Sequence, residues 1–414
     1  MTLRLSGGRL ADSSLLASPP LARALALLNR DGEEARLVGG AVRDLLLGEP
    51  PGDFDLATTA TPDVVIARAK AAGIAFAPTG VKHGTVTLII DGRPIETTTL
   101  RQDIETDGRR AKVRFGRDFA ADARRRDFTL NALSLDARGF VHDEVGGLAD
   151  LEAGRVRFIG EPRQRIREDF LRILRFLRFS ARFGQGELDP AGFAAAIAER
   201  AGLATLSAER VRAELLKILL TPHGPSVIAQ AEGAGLIGPL LGGVLRPARL
   251  ARLAAIEGDA LLRLAALAVV VREDAERLRE RLRLSNAEGD RLEAAARTLE
   301  TLHGLKAPPS LGDLRALLFQ RGRTAARDAA ALAAVDAGAT AGDALWTAAR
   351  RFLADTPAPL MPFTGADLLA RGVPPGRGVG AALKSLQAKW IRAGFPREPE
   401  RLAELLNEAM AELE

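Results

Sequence analysis

With 414 residues the chain can form two or more domains with substantial cores, and its lack of cysteine excludes disulfides and thiolate metal sites. Lys and Arg number 58 against 53 Asp and Glu, a net +5 that permits an anionic partner without demanding one. There is no Tyr and aromatics are few, which disfavours stacking platforms for splayed single-stranded bases and leaves shape and backbone contacts to a folded RNA as the better fit.

Residues 1 to about 30 read as a helical lead-in, with Leu21 to Leu28 apolar and no secretory leader pattern in Met1 to Pro20. Ala35-Arg36-Leu37-Val38 is short and mostly apolar, as a buried strand is. Gly39-Gly40 follows, then a helix over Ala41 to Leu47 that Gly48 stops. Pro62 to Ala72 reads as a helix after capping threonines Thr59 and Thr61. Gly84 to Ile90 and Arg93 to Leu100 are β-rich and joined by Asp91-Gly92, a two-residue hairpin turn of type I′. That loop sets Thr87 opposite Glu96; Glu96 shares its face with Thr98, and Ile95 faces the other way. Beyond about 158 the strands end. Arg163 to Phe183 reads as one long helix rich in arginine, and Ser207 to Leu220 as another. From 225 the chain is Ala/Leu/Arg/Glu-rich and helical, interrupted by a glycine-rich element from Gly365 to Gly380 before a last pair of helices. Apolar runs such as Leu261 to Val271 are too short, or too interrupted by arginine, to span a bilayer, so a soluble cytoplasmic protein is expected.

The chemistry concentrates in the first of these elements. A strand, a glycine turn and a helix start present free backbone N–H groups to an anion, and Arg43 in the first helical turn can add a bidentate grip on phosphate oxygens. A few residues on stand Asp53 and Asp55. On a strand both point to one face, with Phe54 on the other, and paired carboxylates suit a hard cation such as Mg²⁺. A lone Gly-Gly turn is more often structural, and a lone Asp-x-Asp more often a solvated loop; the ordered combination is what carries information.

Further segments follow in order: Arg125-Arg126-Asp127-Phe128-Thr129-Leu130-Asn131-Ala132, Gly146-Gly147-Leu148-Ala149-Asp150-Leu151, Glu168-Asp169-Phe170-Leu171-Arg172, and Glu209-Arg210-Val211-Arg212-Ala213-Glu214-Leu215. With Gly-Gly-x-Val-Arg-Asp and Asp-x-Asp ahead of them, the chain resembles the class II tRNA nucleotidyltransferases, the CCA-adding enzymes, which share a superfamily with bacterial poly(A) polymerases. The resemblance is dense over residues 35 to 225. It implies an α+β fold: a nucleotidyltransferase head with a small mixed sheet over 1–158, a helical neck over 159–225, a helical body over 226–360 and a tRNA-binding tail over 361–414.

It also implies roles. Asp53 and Asp55 match the metal carboxylates, and Glu96 is the candidate third carboxylate, its alternative being a solvated strand residue. Gly40 and Arg43 match the phosphate grip. Arg126 matches a nucleotide-contacting arginine with Asp127 near the ribose, Asp169 and Arg172 the pair that reads the incoming base, and Arg175 and Arg178 further nucleotide contacts on the same helix. Asp169, Arg172 and Arg175 are spaced by three and share a helix face; the plainer alternative is a surface ion pair between Asp169 and Arg172. Cytosine and adenine both offer an amine donor beside a ring-nitrogen acceptor, so one carboxylate and one guanidinium accept C and A and oppose U and G. Sites of such polar groups reject the wrong edge by roughly 10⁴-fold. Two Mg²⁺ ions would clamp the attacking 3′-hydroxyl and the leaving pyrophosphate of CTP or ATP.

The stretch Thr79 to Thr87 resembles the tRNA-directed members, and Thr97-Thr98-Thr99-Leu100-Arg101 through Thr106-Asp107-Gly108-Arg109-Arg110 resembles the flexible loop region of CCA- and A-adding enzymes. The expected activity is therefore template-independent CCA addition to the tRNA 3′ end. A poly(A) polymerase, an A-adding enzyme and a non-catalytic RNA-binding homologue are the alternatives. The four histidines form no His-Asp cluster with metal spacing, and His142-Asp143 is read as a turn, so no phosphohydrolase activity is expected. The glycine-rich element near 365–380 has two readings, an RNA-backbone contact or a tight helix–helix corner.

Overall fold

The computed structural model describes residues 4–10, 14–106, 111–256 and 258–411. The chain divides into two compact units, Met1–Leu240 and Leu241–Glu414.

The first unit does not open on the expected helical lead-in. Gly7 and Gly8 both take positive φ, the geometry of a tight hairpin, and pair β1 (Leu5–Ser6) with β2 (Arg9–Leu10). The helix α1 (Pro19–Leu28) follows, starting on prolines and burying Leu21, Ala24, Leu25 and Leu28. The strand β3 (Ala35–Val38), the helix α2 (Gly40–Leu47) with left-handed Gly48 as its stop, and β4 (Phe54–Thr58) come next. The helix α3 (Pro62–Ala71) starts after Thr61, but neither expected threonine caps it through its side chain: Thr61 sits at the N-cap position without a side-chain cap bond, and the Thr59 hydroxyl is held by the backbone of Glu34 and by Glu33.

Then come β5 (Ala75–Gly80), β6 (Thr85–Ile90) and β7 (Arg93–Thr99), with Asp91 and Gly92 both at positive φ in the hairpin turn. A separate antiparallel pair, β8 (Arg101–Thr106) and β9 (Ala111–Phe115), leads into α4 (Phe119–Arg124), whose first amides are capped by Asp118. Asp107 to Arg110, part of the expected flexible loop, lie outside the described residues. The strands β10 (Ser134–Leu135) and β11 (Val141–His142) complete a seven-stranded sheet of order β11-β10-β3-β4-β7-β6-β5. Its pairs are antiparallel except β4 and β7, which run parallel. The short helix α5 (Gly147–Glu152) is anchored by Asp143, which accepts from the amides of Val145, Gly147 and Leu148; the His-Asp pair is thus a helix-start turn, as expected.

The arginine-rich stretch is two helices, α6 (Pro162–Glu168) and α7 (Leu171–Phe183), not one. The break has a local cause. Asp169 takes extended backbone angles and its carboxylate accepts from the amide of Leu171, an interaction that competes with helix. Phe170 lies against Gly202, where a Cβ would come within 2.0 Å of its ring. The helix α8 (Pro190–Ala198), α9 (Ala208–Leu220) and α10 (Gly224–Gly233) complete the packing around α7. Phe128, Phe158, Phe176, Phe179 and Phe183 form a continuous aromatic core, with centroids 4.8 to 5.9 Å apart between successive neighbours, that joins the segment after α4 to α7.

Over its described residues, the second unit is helical, as the composition suggested. At its glycine-rich element a helix, Gly365–Ala370, ends in a turn that buries Val373 with Leu368 and Trp390. Packing there has the form of the helix–helix corner. Arg249, 2 % exposed, pairs with Asp336, and Arg291 bridges Asp328 and Asp259, so buried charges in this unit are matched.

Candidate active site

The acidic edge forms at the only parallel junction of the sheet. Asp53 sits on a bend just before β4, Phe54 is buried, and Asp55 faces out again. Parallel pairing of β4 with β7 sets Asp55 directly beside Glu96, and the β6–β7 hairpin sets Glu96 opposite Thr87, the register read from the Asp-Gly turn. Asp55 and Glu96 line one cavity together with Thr98, Asp122, Arg125 and Arg126. Partial burial of Asp55, followed by the charge of Glu96, pushes its carboxyl up to about 6. A divalent cation would relieve that opposition, and two carboxylates on adjacent strands are suitable donors for one. Among the described residues, no three acidic or histidine groups converge into a metal nest by themselves. Asp53 is near enough for its charge to act on Asp55.

The same cavity is lined by basic groups built around the end of α4. Asp122, 4 % exposed, accepts through Oδ1 from Arg125 Nη2 at 2.6 Å and through Oδ2 from Arg126 Nη2 at 3.2 Å. Arg126 also lies beneath the glycine turn: Nη1 donates to the carbonyl of Asn131 at 3.4 Å, and a Cβ on Gly39 would come within 3.2 Å of it. Gly39 has φ +71°, so the turn needs glycine both for its backbone and for this close approach.

Arg43 is placed differently from the open phosphate grip expected of it. It is 5 % exposed, donates to Asp44 Oδ1 at 2.8 Å and to Asn131 Oδ1 at 2.6 Å, and its guanidinium stacks 4.1 Å from the Phe183 ring. It is not among the residues lining the cavity. Gly40 opens α2 directly above this guanidinium.

The neck helices carry the remaining residues. Leu171 to Ser180 alternate so that Arg172, Arg175 and Arg178 share the half-exposed face of α7, as their spacing of three requires. Asp169 stands before that helix rather than on it. Its Oδ2 accepts from Arg210 Nη2 at 2.7 Å, while Arg172 donates to Glu168 and to the carbonyl of Arg165 at 2.7 Å. The ion pair weighed as the plainer alternative, Asp169 with Arg172, is not formed; each has another partner. Arg175 grips Asp127 at 2.6 Å and Arg178 grips Glu214 at 2.6 Å, both over the Phe179 ring. Burial opposes the charge on Asp127, yet Arg175, the amide of Asn131 and the backbone N–H of Phe128 together hold its pKa below the ordinary range.

Sequence reasoning did not single out Asp122, Arg125, Arg165 or Arg210. Arg165 donates to the backbone carbonyls of both Arg125 and Arg126, and Glu168 joins it to Arg172. The signals were available: Asp122 precedes the arginines by three and four residues on a helix, and Arg210 lies inside a segment already recognised.

This geometry has counterparts. Residues 35–157 match the Poly A polymerase head domain, and residues 187–244 match the probable RNA and SrmB- binding site of polymerase A. Over these two segments the chain is similar to poly(A) polymerase-type proteins. The mitochondrial CCA tRNA nucleotidyltransferase 1 of Homo sapiens is 45% identical over 200 residues, 48% of this chain and 46% of the human one. The CCA-adding enzyme of Geobacillus thermodenitrificans is 41% identical over 227 residues, 53% of this chain and 54% of that one. The match therefore spans about half the length of these curated relatives. The crystal structure of Bacillus stearothermophilus CCA-adding enzyme in complex with CTP superposes with a TM-score of 0.74 at 29% identity, covering 95% of this chain and 99% of the other. A Thermotoga maritima CCA-adding enzyme complexed with tRNA_CCA shares the fold at a TM-score of 0.70 and 21% identity over 97% and 98% of the two chains. Like those two structures, this chain is α+β, with a sheet-bearing head followed by helices. Among its described residues, no helix is long and apolar enough to cross a membrane.

Proposed function

We propose that this protein adds CCA to the 3′ end of tRNA without a template, transferring CMP and AMP from CTP and ATP and releasing pyrophosphate. The observation that carries the reading is the register of Asp55 beside Glu96 on parallel strands, lining one cavity with Arg126. Asp53, Asp55 and Glu96 would hold the divalent metal, Mg²⁺ in this reading; when bound, it supplies charge stabilisation for the attacking hydroxyl and the leaving pyrophosphate. Arg126 is the nucleotide-contacting arginine beside that acid edge, and the partly buried Asp127–Arg175 pair fixes the segment that carries it.

Selection of C and A rests on Asp169 and Arg172. Asp169 has accepted from Arg210 and the Leu171 amide, which leaves carboxylate lone pairs for an exocyclic amine. Arg172 has committed Nη1 to Glu168 and the Arg165 carbonyl, which leaves other guanidinium N–H groups for a ring nitrogen. Uracil and guanine reverse both polarities at that edge. Arg178 lies on the same face of α7 and extends the nucleotide surface, while Arg43 and Gly40 support the glycine turn. The four-part division into head, neck, body and tail, with tRNA bound by the tail and a cytoplasmic setting, completes the reading. The named relatives, a CTP complex and a tRNA_CCA complex among the solved ones, support these substrates.

The test is incorporation of labelled CTP or ATP, offered separately with Mg²⁺, on tRNA ending before CCA, after C and after CC. Incorporation of C, C and A respectively is expected. Long A tails on unrelated RNA would instead mark a poly(A) polymerase, A addition alone on the CC-ended tRNA an A-adding enzyme, and RNA binding without incorporation a non-catalytic homologue.

A further inference from the structure

We propose that Asp122 is a positioning residue that aims Arg125 and Arg126 as a paired clamp for the polyphosphate of the incoming nucleotide. The inference rests on the nucleotidyl-transfer reading above, and gives the cavity's basic lining a function.

Two adjacent guanidiniums repel each other and, if free, would sample many rotamers. Here one carboxylate, 4 % exposed and lining the cavity, meets both: Oδ1 takes Nε and Nη2 of Arg125 at 2.8 and 2.6 Å, and Oδ2 takes Nε and Nη2 of Arg126 at 3.3 and 3.2 Å. A side-on grip through Nε and Nη2 orients each fork while leaving other N–H groups for a ligand. The backbone is fixed too, because Arg165 donates to the carbonyls of both arginines. Arg125 and Arg126 remain about a quarter exposed, at 25 % and 23 % of their side chains, and both line the cavity that Asp55 and Glu96 also line. A cavity lined by the Asp55 and Glu96 carboxylates and by two oriented guanidiniums fits a polyphosphate: its oxygens would meet the arginines, and a divalent cation on the acids would share them. Asp122 is itself saturated by the two arginines, so its effect on a ligand passes through them.

Calorimetric titration of the full chain with inorganic tripolyphosphate reads the clamp without base, ribose or chemistry. Asp122→Asn should weaken tripolyphosphate about tenfold and raise KM for CTP and ATP by a similar factor, with a smaller change in kcat. Arg125→Gln and Arg126→Gln, at partly exposed positions, should each do the same. In the Arg125→Gln/Arg126→Gln background, adding Asp122→Asn should change the affinity no further. Wild-type tripolyphosphate affinity in a folded Asp122→Asn protein overturns the proposal. Should that variant not fold, wild-type affinity in both arginine variants overturns it equally. So does a loss of affinity only for tRNA lacking its 3′-terminal nucleotides, which assigns the arginines to the RNA backbone. The two readings separate cleanly. If the wild type adds no nucleotide yet Asp122→Asn loses tripolyphosphate, the clamp stands and the proposed reaction falls. If nucleotides are added and tripolyphosphate ignores Asp122, the reverse holds.

Discussion

Asp55 is a carboxylate held where its charge is resisted, by partial burial and by Glu96 beside it. Removing that charge should help the fold and end the reaction. Asp55→Asn is expected to raise the thermal midpoint in metal-free buffer while lowering nucleotide incorporation by at least about 10³-fold; a variant that keeps wild-type incorporation contradicts the metal assignment. Asp127 has the opposite balance. Its folded pKa lies below the ordinary value of 3.8, so its ion pair with Arg175 stabilises the fold above that value and the contribution is lost as pH falls through the folded pKa. Asp127→Asn should therefore cost about 2 kcal/mol at neutral pH and flatten the acid side of the stability profile, as read by urea melts across pH. The Asp53–Asp55 pair was visible from residue type and the Thr87–Glu96 register from the hairpin loop, whereas Arg126 entered only through the family resemblance. The partners of Asp169 and Arg172 were not visible: Arg210 reaches Asp169 from a separate helix, and Glu168, four residues before Arg172, pairs with it across the break between α6 and α7.

At the scale of elements, the strand, glycine turn, helix and hairpin were read correctly because each has a local cause: an apolar run, glycines at positive φ, and an Asp-Gly turn whose loop length fixes register. The break between α6 and α7 was missed because helical periodicity runs straight through it. Its local cause, the Asp169 carboxylate on the Leu171 amide, acts with a tertiary one, the seating of Phe170 on Gly202, and neither shows in helical periodicity. Gly202→Ala places a Cβ 2.0 Å from the Phe170 ring and should destabilise the first unit by about 1–3 kcal/mol, measured by chemical denaturation. Because that turn carries Asp169, the same variant should loosen discrimination of C and A against U and G. Unchanged stability and selectivity would mean that the break does not depend on this contact.

Over the whole molecule, the division into two compact units has an observable consequence. The groups proposed to hold CTP and a divalent metal all lie in Met1–Leu240, so by linkage these ligands should raise the midpoint of the transition that reports the sheet-bearing unit and leave the other in place. Scanning calorimetry with and without ligand checks this. The helical class of the second unit was clear from composition, but no local pattern singled out one of its surfaces for the proposed tRNA contact. The central claim concerns what the first unit writes. Sequencing the 3′ ends of a tRNA that lacks CCA, after incubation with this protein, Mg²⁺ and all four nucleoside triphosphates together, tests it most directly. The account predicts ends that close with CCA, with U and G absent and growth stopping there. Unextended ends, homopolymeric A tails, or incorporated U and G would contradict it.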